Sequence, residues 1–118
     1  MDETTFKNRT KQLGLAVIKL VDDMPKSIAA DVISRQVVRS AVSVGANYRA
    51  ACRAKSTADM INKLKIVEEE SDETAYWLEL IVESGMLPEN QARNISKQAI
   101  EILAMTVAYL KTLRHRKS

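Results

Sequence analysis

The chain has 118 residues, 46% of them apolar, which suits one domain with one core. Three glycines and two prolines are too few for a turn-rich β fold, and 4% aromatics leave the core aliphatic. The net charge of +3 is modest; with no signal peptide, no apolar run near the ~18 residues of a membrane span and a single cysteine, Cys52, the expectation is a cytoplasmic protein without membrane contact or intrachain disulfide.

The first helix is expected over residues 5–24, where Phe6, Leu13, Val17, Leu20 and Met24 form one stripe. Gly14 costs about 1 kcal/mol relative to alanine inside a helix, which marks it as a point of close helix crossing. Pro25 cannot continue that helix but can sit at the start of the next. The second helix, residues 27–54, has two faces. Ile33, Val37, Ser40, Val44, Asn47 and Ala51 make a core stripe, while Arg35, Arg39, Val42, Ala46, Arg49 and Arg53 share the opposite side at alternating spacings of four and three.

Ser56 has the position of an N-cap with Asp59 as its capping-box partner, which opens a third helix over residues 57–84. Its core stripe is Met60, Leu64, Val67, Ser71, Leu78 and Val82, and a second apolar set, Ile66, Trp77 and Leu80, points away from it. Gly85 ends this helix. Pro88 begins a fourth over residues 88–113, with Ile95, Ala99, Ile102, Thr106, Tyr109 and Leu113 on its core side and a basic tail at residues 114–118. Four long helices joined by short turns predict an all-α, single-domain, up-down-up-down antiparallel four-helix bundle.

Charge is segregated along the chain. Residues 24–58 carry six basic groups against one acid, residues 59–84 two against eight, and residues 85–118 six against two. The acid run in residues 67–73 invites a carboxylate metal site, but Glu68, Glu69, Glu70 and Glu73 scatter around the helix, no Glu-x-x-His occurs, and the one histidine, His115, lies in the basic tail. No metal or other cofactor is expected. Ser40 and Ser43 have no neighbouring histidine to activate them, and no phosphate loop or dinucleotide fingerprint is present, so a non-enzymatic protein is expected.

Two sets of residues remain as candidate surfaces. Arg35, Arg39, Arg49 and Arg53, with Arg114, Arg116 and Lys117 of the tail, read either as a phosphate-binding face for RNA or as partners for acids of helix three or of a neighbouring subunit. Tyr76 and Trp77, with Ile66, Leu80 and Glu73, read as a subunit interface, the alternative for Trp77 being packing within the chain beneath a loop or helix end.

The segment Gln36-x-x-Arg39-Ser40-Ala41-x-Ser43-Val44-x-x-Asn47 resembles the signature of the bacterial four-helix-bundle proteins encoded in intervening sequences of 23S ribosomal RNA genes. That family continues with Asn-Ile-Ala-Glu-Gly, whereas here Asn47-Tyr48-Arg49-Ala50-Ala51 loses the Glu and Gly and gains an arginine. Glu73 matches a recurring glutamate of the family's second signature, and the likeness extends from Phe6 to about Leu110. The resemblance implies an up-down bundle and a homo-oligomer, with a ring of five favoured. A distant relative, the accessory variability determinant of diversity-generating retroelements, is a basic pentamer that partners a reverse transcriptase and RNA. The partners implied are therefore RNA, a nucleoprotein or a reverse transcriptase.

Overall fold

The computed structural model describes residues 2–117, with side chains as far as Arg116. It contains four helices, α1 (Glu3–Val21), α2 (Ile28–Cys52), α3 (Thr57–Glu83) and α4 (Glu89–Lys117), and no strand among the described residues. Consecutive helices pack antiparallel and α1 closes against α4, giving an all-α four-helix bundle 49 Å long and 21 Å across.

The helix ends follow from local chemistry. Asp2, Ser27 and Ser56 cap α1, α2 and α3, each side-chain oxygen accepting from the backbone N–H three residues on. Asp59 does reach back as a capping-box partner should, but its carboxylate accepts from Lys55 N–H at 3.2 Å, one residue before the cap. Gly85, at φ +80°, supplies the left-handed turn after α3. Met86 N–H then donates to Ile81 O and Gly85 N–H to Val82 O, both at 3.0 Å, which satisfies carbonyls that the helix end would leave bare.

The expected ends need correction at two places. Helix α1 stops at Val21, because Asp22, Asp23 and Met24 turn back onto carbonyls of the last turn. The basic tail expected beyond residue 113 is instead the last turn of α4, which runs to Lys117. Nothing between Leu113 and Lys117 breaks a helix, and cations suit its C-terminal end.

Two apolar clusters fill the interior, one toward each end. Phe6, Tyr48, Ala51, Leu64, Leu110 and Leu113 meet where α1 begins and α4 ends, with Phe6 and Tyr48 edge to face at 4.7 Å. Val17, Leu20, Val37, Leu78, Ile81 and Leu87 fill the opposite end. At mid-bundle Ser40 and Thr74 are fully buried and Thr74 Oγ1 donates to Ser40 Oγ at 2.8 Å across α2 and α3.

The core stripes differ from expectation where the helical wheel drifts. On α3 Thr74 and Ile81 are buried, while Val82 is only half-buried; on α4 Leu110 is buried beside the half-buried Tyr109. On α2 Tyr48 enters the core and Asn47 stays half-buried, its amide donating to Ser43 O at 2.9 Å.

Candidate basic end and helix grooves

The arginine face divides into two unlike halves. Arg35 pairs with Asp31 at 3.2 Å on its own helix. Arg39 reaches across to α3, donating to Glu70 at 2.8 Å and to Glu73, so one guanidinium ties two carboxylates a turn apart to α2. The hydrogen bond it donates to Glu70 first, and the charges of both carboxylates, hold the Arg39 guanidinium above its ordinary value against the opposing effect of burial. Glu73, one of the residues expected at a subunit contact, is thus engaged within its own chain.

Arg49 and Arg53 form no ion pair among the described residues. They stand at the end of the bundle where α2 stops, α3 starts, α1 starts and α4 stops, so Arg114 and Arg116 lie at that same end. The side chain of Lys117 lies outside the described residues. What spacing along a single helix could not reveal is the rest of this end: Lys7, Lys55, Lys63, Lys65 and Lys111 belong to it as well. Nine basic side chains therefore gather there against Asp2, Glu3 and Asp59. The signal was available in the sequence, since antiparallel topology alternates which end of each helix shares a pole.

Of the apolar set on α3, Tyr76 is half-exposed, whereas Ile66, Trp77 and Leu80 are only partly buried. Trp77 packs against the cluster around Val37 and Leu78 and meets Tyr76 edge to face at 5.2 Å; its indole N–H is buried without a hydrogen-bond partner among the described residues. Intramolecular packing thus accounts for much of the Trp77 ring.

Two surface grooves run along opposite sides of the bundle. One, of about 590 Å³, lies between α1 and α2; Leu15, Ile18 and Val42 are its exposed apolar groups, and Lys7, Lys11 and Arg49 its only charged ones. The other, of about 660 Å³, lies between α3 and α4, with Val82 and Ile100 among Glu79, Glu83, Glu89, Glu101, Arg93 and Lys97. Arg93 donates to Glu89 at 3.0 Å and holds its carboxyl below the usual range, and Arg9 of α1 reaches Glu101 at 2.8 Å. Glu79 and Glu83 have no ion pair among the described residues. A smaller cavity of about 160 Å³ at the basic end is lined by Tyr48, Cys52, Met60 and Tyr109. Burial pushes the Cys52 thiol up, and the Tyr48 hydroxyl likewise. Among the described residues no group of three or more candidate metal ligands converges, and no helix is long and apolar enough to cross a membrane.

Fold and surface together define a small four-helix bundle with one strongly basic end and a groove on each of two opposite sides. Residues 3–108 match the family described as 23S rRNA-intervening sequence protein, and the chain belongs to that family. It is also similar to a crystal structure from Bacteroides thetaiotaomicron, a protein with unknown function from the S23 ribosomal protein family. The two share 33% identity at a TM-score of 0.83, over 90% of this chain and 98% of that one. No protein of curated function matches the chain.

Proposed function

We propose that this protein is a cytoplasmic, non-enzymatic homo-oligomer that binds RNA, bare or within a nucleoprotein, through the basic end of the bundle. The observation that carries the reading is the gathering of nine basic side chains from all four helices at one pole, where Arg53 has no ion pair among the described residues and stands clear of the α1–α2 groove. Guanidinium groups grip phosphate with parallel hydrogen bonds, and each phosphate contact releases about one counterion. The family name, which refers to a ribosomal RNA gene, agrees with an RNA setting. Arg35 and Arg39, already bound to acids of the same chain, are secondary in this reading. No exposed aromatic lies among Arg35, Arg39, Arg49 and Arg53 to stack on unpaired bases, so binding without base specificity is expected.

The second reading is a protein adaptor whose arginines meet acids of a partner, such as a reverse transcriptase, or of a neighbouring subunit. The engagement of Arg39 by Glu70 and Glu73 favours it, because it shows the arginine face already serving acid pairing inside the chain.

The test is the double variant Arg53→Ala, Arg116→Ala, both at the basic end and neither lining the α1–α2 groove. RNA affinity should fall, and the slope of log affinity against log salt should become shallower by about 1.5. Unchanged affinity with the assembly intact would overturn RNA binding at this end. Loss of assembly instead would transfer these residues to the adaptor reading.

A further inference from the structure

We infer that the α1–α2 groove receives the α3–α4 side of a second copy of this chain. The inference rests on the assembly proposed above and names the surfaces that make it. Three observations meet. The α1–α2 groove is lined by cations alone among charged groups, while the α3–α4 groove is richer in carboxylates than in cations. On the first, Lys11 and Arg49 have no ion pair among the described residues; on the second, Glu79 and Glu83 have none. Both are apolar at the centre: Leu15 and Ile18 are 46% and 44% exposed on one, and Ile100 is 55% exposed on the other.

Apolar groups flanked by unpaired charges of one sign suit a partner with apolar groups and the opposite sign, because association removes the hydrocarbon from water while the charges set the register. A second copy supplies that partner. In an up-down bundle the α1–α2 and α3–α4 sides face opposite ways, so the contact is heterologous and each copy keeps a free surface of each kind. Such a contact continues until the rotation between copies closes a ring. The arginine stripe of α2 is drawn into this contact at Val42, Ala46 and Arg49, which leaves Arg53 and the end of α4 at the pole for other work.

The experiment is a charge exchange followed by sedimentation at matched protein concentration, with helix content checked by circular dichroism. Wild type should sediment as an oligomer. Lys11→Glu with Arg49→Glu should sediment as a monomer, and Glu79→Lys with Glu83→Lys should do the same. A chain carrying all four changes should regain the assembly, since its acidified groove now fits the basified α3–α4 side of the next copy. Two results overturn the docking surface alone: both variants assembling like wild type, or both dissociating without rescue in the four-change chain. A wild-type monomer at micromolar concentration overturns the assembly itself, and this surface with it.

Discussion

Replacing Gly14 by alanine should stabilise this protein, although Gly14 is buried against a neighbouring helix. A Cβ at that position would lie 3.6 Å from Val42 Cα, 3.7 Å from Ala41 O and 3.7 Å from Val42 Cγ1. Those are ordinary contact distances, each carbon pair adding about 0.1–0.2 kcal/mol of attraction. Glycine inside a helix costs about 0.8–1.0 kcal/mol relative to alanine. The gain should therefore be about 1 kcal/mol, raising the melting temperature by roughly 4 °C for a chain of this size. The assay is urea unfolding followed by circular dichroism, at one protein concentration for both chains so that association contributes equally. A loss of stability in Gly14→Ala would refute the reasoning and mean that α1 and α2 approach too closely for a methyl. Gly45 is the internal contrast. Its added Cβ would meet the backbone oxygen of Thr10 at 3.4 Å, so Gly45→Ala should gain less than Gly14→Ala in the same assay.

Leu64→Ala should cost about 2–5 kcal/mol by chemical denaturation, since Leu64 is 1% exposed within the cluster around Phe6 and Tyr48; a cost under about 1 kcal/mol would contradict its place in the core. Cys52 should alkylate more slowly than a free thiol at neutral pH, because burial holds its proton on; a rate equal to that of a small free thiol would contradict this. Its folded pKa is raised, so its contribution to stability is present below the ordinary thiol value of 9.0 and is lost as pH rises beyond it. Cys52→Ser should flatten that alkaline decline in unfolding measurements.

The fold was legible because period and punctuation agreed. Leu13, Val17, Val37, Val44, Leu64, Val67, Leu78, Ala99 and Ile102 all lie in the core, and Pro25, Ser56 and Gly85 stand at the breaks. Residues at the edge of a stripe were harder to assign. Thr74 and Tyr48 lie outside the stripes that spacing picks out, yet Thr74 finds Ser40 and Glu70 O as partners, and Tyr48 finds the ring of Phe6. The candidate surfaces were legible only in part, for a geometric reason. Spacing along one helix identifies a face, and by that rule Arg35 and Arg53 belong together. Whether a charge is already spent depends on the neighbouring helix, and Arg39 is spent on Glu70 and Glu73. The basic pole and the two grooves combine residues from different helices, which no single-helix pattern expresses.

The serial packing of the helices sets an order for folding. Three of the four seams join helices adjacent along the chain, across turns of a few residues, and each can zip as soon as its two helices exist. The fourth, α1 on α4, is the sparsest and spans almost the whole chain. Arg9 spans it through Gln98, Glu101 and Met105. A chain emerging from the ribosome can therefore form most of its contacts vectorially, and the Arg9 seam is the last to shut. By the same topology it is the first to part when the folded protein breathes, opening the apolar cluster from the side where Phe6 of α1 shares it with Leu110 and Leu113 of α4.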